Sequence, residues 1–221
     1  MRTVIFDLDG TLADTSADLI AAANACFRGM GVGDMLDPVA DMLTAFHGGR
    51  AMLRLGFSRL GPVEEAVVDL FYPVLLAAYE DGIDRETRLY PGAAEAVEAL
   101  RSAGFATGIC TNKPAGLAEL LVRRLGVRDL FGSLVGADTL TVRKPDPAPY
   151  HLSVRAAGGV SKRSILIGDT DTDRMTAKAA GVPAVLVTFG PEGAGIARLE
   201  PEALLDDYAD LPALAERFLP A

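Results

Sequence analysis

Cysteine is almost missing from this chain: Cys26 and Cys110 are the only two in 221 residues. Two cysteines make no disulfide framework, and neither stands at metal-ligand spacing from a histidine, so both are expected to be buried thiols. Long apolar runs are missing too. No stretch approaches about 18 consecutive apolar residues, the length a membrane-spanning helix needs. The opening places Arg2, Asp7 and Asp9 within the first ten positions, which is not the order of a signal peptide. A cytoplasmic protein without membrane association is expected. Runs of lysine or arginine are also absent, and the net charge is −9. A general basic surface for polyanions is therefore excluded, and no nucleic-acid partner is expected. No internal repeat or low-complexity tract occurs. Half the residues are apolar and 23% are charged, a balance that excludes disorder and suits one α/β core with a smaller additional unit.

What the chain does have is concentrated in Asp7-Leu-Asp-Gly-Thr-Leu12. The preceding Thr3-Val-Ile-Phe6 is β-branched and aromatic with no polar break, as suits a strand buried on both faces of a parallel sheet. It ends in acid. If the extended conformation persists, Asp7 and Asp9 point the same way, because strand side chains alternate. Two such charges roughly 4 Å apart repel by about 4 kcal/mol at an effective dielectric of about 20. A divalent cation offsets this directly, and carboxylate plus backbone carbonyl is the oxygen set that Mg²⁺ prefers. A shared proton is the alternative.

From about residue 15 to 82 the pattern is helical. Thr15 or Ser16 can cap a first helix, with Asp18 placed to reciprocate as in a capping box. Leu19, Ile20, Ala23, Phe27 and Met30 recur at helical spacing. Asp37-Pro38 opens a second helix ending near Phe46. The loop His47-Gly-Gly-Arg50 follows, and Pro62 begins a long segment to about Asp81 that Pro73 should kink. From Tyr90 onward helical segments alternate with short apolar runs: Phe105 to Cys110, Leu134-Val135, Ile165 to Ile167 and Ala184 to Val187. Such alternation predicts a doubly wound parallel sheet. The fold expected is therefore α/β, with a core domain of residues 1–14 and 83–221 and an inserted all-helical cap domain of residues 15–82. Set directly after the two acids, the cap could act as a lid that excludes water and selects substrate.

Further candidate groups stand where apolar runs end. Thr111 and Asn112 follow the second strand, where a hydroxyl and exposed N–H groups bind phosphate oxygens well. Lys144 sits in Val142-Arg-Lys-Pro-Asp-Pro147, a loop stiffened by two prolines. Ile165-Leu-Ile-Gly-Asp-Thr-Asp-Thr-Asp173 again ends a strand in acids, Asp169, Asp171 and Asp173. Asp171 is read as a helix cap.

In this order, these stretches resemble the four motifs of the haloacid dehalogenase-like superfamily, in its Mg²⁺-dependent phosphatase branch. The resemblance spans the whole chain and implies a Rossmann-like core with a helical type I cap. It further implies that Asp7 is the nucleophile that becomes an aspartyl-phosphate and Asp9 the general acid/base. Thr111 and Asn112 would hold the transferring phosphoryl group, and Lys144 would neutralise charge on nucleophile and phosphoryl oxygens. Asp7, Asp9 and Asp169 would bind Mg²⁺, and Asp173 would either bind it through water or orient neighbours such as Lys144. Within the superfamily the chain looks most like phosphoglycolate phosphatases, through Asp-Leu-Asp-Gly-Thr-Leu, Tyr-Pro-Gly at 90 to 92, Thr-Asn-Lys and Lys-Pro-Asp-Pro. That implies a small phosphorylated metabolite as substrate, 2-phosphoglycolate first. In the cap, Arg50, together with His47 and the Gly48-Gly49 backbone, could hold a substrate carboxylate. A β-phosphoglucomutase-like isomerase or a sugar-phosphate phosphatase shares the motifs. From another class, a phosphoacceptor signalling domain also combines an Asp cluster, a Thr and a Lys. The helical insertion and the second acid of Asp-x-Asp argue against that one.

Overall fold

The computed structural model describes residues 1–221 and divides into two compact units, Met1–Ala13 with Leu89–Ala221, and Asp14–Arg88. The first is built on six parallel strands: β1 (Thr3–Phe6), β4 (Ala106–Cys110), β5 (Ser133–Val135), β6 (Ser164–Gly168), β7 (Ala184–Val187) and β8 (Ala203–Leu205). Their order is β5-β4-β1-β6-β7-β8. The chain leaves this unit through β2 (Ala13–Asp14) and re-enters it through β3 (Arg88–Leu89).

β1 is central, paired with β4 on one side and β6 on the other, with Phe6 level with Ile109 and with Ile167. Val4, Ile5 and Phe6 are fully buried, as an unbroken apolar strand covered on both faces should be. One layer of the core joins Ile5, Cys110 and Leu166 to Tyr150 and Val154 of α7 (Ala148–Ala156) and Ala177 of α8 (Asp171–Ala180). The Tyr150 hydroxyl donates to Ser164 Oγ at 2.7 Å, which satisfies the one polar atom that this layer buries on an aromatic ring. Helices α5 (Ala93–Ser102) and α6 (Ala115–Arg124) complete the alternating order. Both cysteines are free and buried.

Beyond Val187 the structure adds two elements that the apolar pattern did not predict. β8 extends the sheet beside β7, and α9 (Leu211–Phe218) follows it. β8 is a three-residue edge strand, Ala203-Leu204-Leu205, with only Leu205 buried, too short an apolar run to mark a strand by itself.

The second unit is helical: α1 (Ser16–Gly29), α2 (Met42–Phe46), α3 (Gly49–Ser58) and α4 (Glu65–Asp81). Its core stacks Phe27 on Phe57 and Phe57 on Phe71, edge to face, at 5.1 and 5.6 Å. Gly56 faces the Phe27 ring so closely that a Cβ there would lie 2.2 Å from it. α4 runs through Pro73. The helix expected from Asp37 starts later. Asp37 Oδ1 accepts from the N–H groups of Val39 and Ala40 and closes a turn, and the helix proper begins at Met42.

Two expectations for this unit are corrected by the fate of Asp18. Thr15 is the N-cap of α1 but makes no side-chain cap bond, and Asp18 does not reciprocate. Its carboxylate instead accepts from the backbone N–H groups of Glu86 and Thr87, at 3.0 and 2.9 Å, and from the Thr87 hydroxyl at 2.8 Å. A long-range partner offering three donors outcompetes a local cap that offers one. The same bonds tie Glu86 and Thr87 to α1 within this unit. Asp18→Ala should cost about 3 kcal/mol, because the charge-assisted bonds go and buried donors remain. That corresponds to a fall of roughly 6–12 °C in Tm for a chain this long; a calorimetric loss below about 1 kcal/mol would contradict this account.

Candidate active site

The parallel register decides which side chains meet. With Phe6 level with Ile109 and Ile167, the residues just past β1, β4 and β6 emerge together at the carboxyl edge of the sheet, the edge where open α/β folds bind ligands. Asp7 still belongs to the ladder, its N–H donating to the Ile167 carbonyl at 2.9 Å. Gly10, at φ 79°, then turns the chain in a conformation that only glycine adopts without strain. At the end of β6, a Cβ on Gly168 would stand 2.4 Å from Asp173 Cβ, so glycine there lets the Asp173 side chain fold back against the strand.

Asp7, Asp169 and Asp173 are all buried, and each offers a carboxylate oxygen within 4.8 Å of the others'. Lys144, from the loop between β5 and α7, is buried among them. Its Nζ donates to Asp173 Oδ1 at 2.6 Å and lies 3.1 Å from Asp7 Oδ2. Burial works against the charge of this lysine, but Asp173 and Asp7 outweigh it and hold the ammonium well above its usual range. Burial likewise raises the Asp7 carboxyl to about 6, with Asp173 and Asp9 adding to the rise and Lys144 opposing it. Asp169 is raised well above the carboxylate range for the same reason, burial first and then Asp173 and Asp7.

The remaining oxygens separate the roles of the two later acids. Asp173 Oδ2 accepts from the N–H groups of Asp169 and Thr170 and from the Thr170 hydroxyl. The Thr170 side chain in turn accepts from the Asp173 N–H, a capping box at the start of α8. Thr170, not Asp171, is therefore the cap, because the helix begins one residue earlier than the acid spacing suggested, and Asp171 is its first residue. With both oxygens engaged, Asp173 orients Lys144. Asp169 differs. Its Oδ1 accepts from the Thr11 hydroxyl at 2.7 Å, while Oδ2 is buried without a hydrogen-bond partner. An orphaned carboxylate oxygen beside two more acids is costly unless a cation joins it. The hard oxygen donors of Asp7 and Asp169 fit Mg²⁺, as the sequence leads one to expect.

Asp9 stands apart from that cluster. Its Oδ1 accepts from Lys113 Nζ at 2.6 Å, so one of its oxygens meets a cation of the protein's own. Thr111 is buried, its Oγ1 accepting from the Lys113 N–H at 3.2 Å. The Asn112 amide donates to the Lys144 carbonyl at 3.0 Å and so anchors the loop that carries the lysine. Lys113 and Thr11 are the two residues that sequence reasoning passed over. The signal for Lys113 was the pairing of β4 with β1: a cation three residues past one strand reaches an acid three residues past its neighbour.

The two residues expected in the helical unit are not brought to any such cluster within it. Arg50, on α3, is ion-paired with Asp69 and lies over the Tyr72 ring at 4.4 Å, both on α4. His47 is exposed just past α2.

Four carboxylates against two lysines leave two negative charges at the sheet edge, the deficit that one divalent cation fills. Mg²⁺ at about 100 times its Kd should add roughly 2.7 kcal/mol of stability, or about 5–10 °C in Tm. Asp169→Asn should remove most of that rise in a thermal melt with and without chelator, and a rise unchanged by the substitution would place the ion elsewhere.

Known proteins are similar to this chain over nearly their whole length. Residues 4–187 match the model of the haloacid dehalogenase-like hydrolases. A phosphoglycolate phosphatase from Agrobacterium fabrum is 39% identical over 220 residues, covering 97% of this chain and 93% of that protein. Another, from Mesorhizobium japonicum, is 36% identical, covering 99% and 96%. Among solved structures, that of a predicted phosphoglycolate phosphatase from Haemophilus somnus 129pt superposes with a TM-score of 0.86 at 25% identity, over 97% of both chains. With the motifs, the sheet order and these relatives in agreement, the chain belongs to the haloacid dehalogenase-like hydrolase family.

Proposed function

We propose that this chain, a phosphoric monoester hydrolase, acts on 2-phosphoglycolate through a phosphoryl group carried transiently on Asp7. The observation that carries the chemistry is the buried Asp7 carboxylate set against Lys144, with Asp9 held on a separate cation two residues on. One carboxylate is thereby equipped to attack and the other to move protons. The substrate is carried by the relatives, which are phosphoglycolate phosphatases and align with this chain from end to end.

In this reading an Asp7 oxygen attacks phosphorus, the bond to the leaving oxygen breaks, and Asp9 gives that oxygen a proton. Lys144 meets the charge on Asp7 and on the phosphoryl oxygens, and Thr111 with the N–H groups of its turn holds the remaining oxygens. Asp9, now a base, takes a proton from the water that attacks the acyl phosphate, and inorganic phosphate leaves with Asp7 regenerated. Mg²⁺, held by Asp7 and Asp169 with Asp9 as a further candidate, would supply charge neutralisation for the phosphoryl oxygens and keep Asp7 ionised despite its burial. The helical unit supplies substrate choice. Its candidate residue is Arg50, whose guanidinium lies over the Tyr72 ring and is ion-paired with Asp69; in this reading a substrate carboxylate would engage the same fork.

Phosphate release from a panel of 2-phosphoglycolate, β-glucose 1-phosphate, other sugar phosphates and nucleotides, with Mg²⁺ and with chelator, tests this directly. Metal-dependent release with 2-phosphoglycolate far ahead is expected. Preference for another ester would overturn the substrate, and consumption of glucose 1-phosphate without release would make the chain a mutase. Asp7→Asn should leave less than about a thousandth of the activity. Arg50→Ala should raise KM for 2-phosphoglycolate at least about tenfold while sparing phosphate esters that lack a carboxylate; equal loss on both kinds would remove Arg50 from substrate binding.

A further inference from the structure

Lys113 is the one charged side chain at the sheet edge to which the reaction as described gives no task. Its side chain is 4% exposed, and its Nζ lies 2.6 Å from Asp9 Oδ1. Its backbone is fixed from both ends: the N–H donates to Thr111 Oγ1 at 3.2 Å, and the carbonyl accepts from Ala137 N–H at 2.9 Å. Pro114 follows at once and leads into α6. The Cα of Lys113 is thus set by the same turn that sets Thr111, and its stem reaches across from the end of β4 to the residues past β1.

Stability is a poor reason for such a burial. Removing an ammonium from water costs several kcal/mol, which one ion pair seldom returns, and apolar replacements of buried pairs are often neutral or better. Elsewhere the chain meets its need for cations almost entirely with arginine: of 21 basic residues only four are lysines, Lys113, Lys144, Lys162 and Lys178. Two of those four are buried at the site, and the other two are exposed. A compact point charge on a thin stem suits a crowded catalytic edge better than a planar fork does.

We propose that Lys113 is a positioning residue for Asp9, fixing the direction of that carboxylate so that it meets the leaving oxygen and then the attacking water. The inference rests on the reading of Asp9 as the acid/base. The buried ammonium fixes one oxygen of the Asp9 carboxylate, and displacement of a catalytic group by about 1 Å can cost on the order of 100-fold. Lys144 and Lys113 then divide the labour, one lysine per acid of Asp7-x-Asp9.

The test uses the full chain with Mg²⁺ and two esters, 2-phosphoglycolate, whose alkoxide needs a proton to depart, and p-nitrophenyl phosphate, whose phenolate departs without one. kcat/KM is the quantity to compare, since it reports the steps up to loss of the leaving group. Lys113→Met should lower it about 100-fold for 2-phosphoglycolate and by less than about tenfold for the aryl ester. Added to Asp9→Asn, the same substitution should cost less than about threefold further, because a residue acting only through Asp9 has nothing left to position. Equal losses on the two esters, or losses that multiply with those of Asp9→Asn, would overturn the proposal. Asp9→Asn alone supplies the control: if it too strikes both esters equally, the acid/base reading of Asp9 falls first. Lys113→Gln, which keeps a donor but not the charge, serves if the methionine variant does not fold, with the same expected ratio between the two esters.

Discussion

Electrostatic repulsion among four carboxylates at one edge of the sheet is the constraint that the rest of the site answers. The fold creates the problem, because parallel strands in register bring the ends of β1 and β6 together and both ends are acidic. It also supplies part of the remedy. Lys144 comes in from the loop past β5 and Lys113 from the turn past β4, so the strands on the basic side of β1 offset those on the acidic side. The two negative charges left over give the site its demand for a divalent ion. In the proposed reaction, charge on a transferring phosphoryl group would enter a site that already holds the two lysine cations in place, which is how electrostatic preorganisation lowers a barrier without rearrangement.

Burial sharpens each of these effects. Asp7 and Asp169 lie where water cannot stabilise their charge, and both are pushed towards protonation. To serve as the proposed nucleophile, Asp7 needs neighbours that favour its ionised form. Lys144 lies on one side of it, and Asp173, with both oxygens occupied, keeps Lys144 in place. Thr11 performs the matching service for Asp169 by occupying one oxygen and leaving the other. The chain of positioning runs further, since the Tyr208 hydroxyl donates to the Thr11 carbonyl at 2.8 Å from the far end of the sequence.

How much of this was legible beforehand depended on range. Strands β1, β4, β5, β6 and β7 announced themselves as apolar runs, and the acids that follow β1 and β6 were visible as breaks in hydrophobicity. What local reading missed was partners distant in sequence: Asp18 reads locally as part of a capping box and is claimed by Glu86 and Thr87, and Lys113, given no role by sequence reasoning, crosses to Asp9. Asp171 failed for a smaller reason, a helix start displaced by one residue. β8 failed because a short, half-exposed edge strand needs no apolar pattern to pair with an existing one.

The sparing use of lysine has a practical side. Reagents that attack amines require an accessible nitrogen, and Lys113 and Lys144 offer none while they remain buried against carboxylates. Apart from the amino terminus, only Lys162, in the turn before β6, and Lys178, on α8, stand open to them. Amine-directed labels and coupling resins would therefore attach at no more than three places on this protein, none of them an ammonium at the sheet edge.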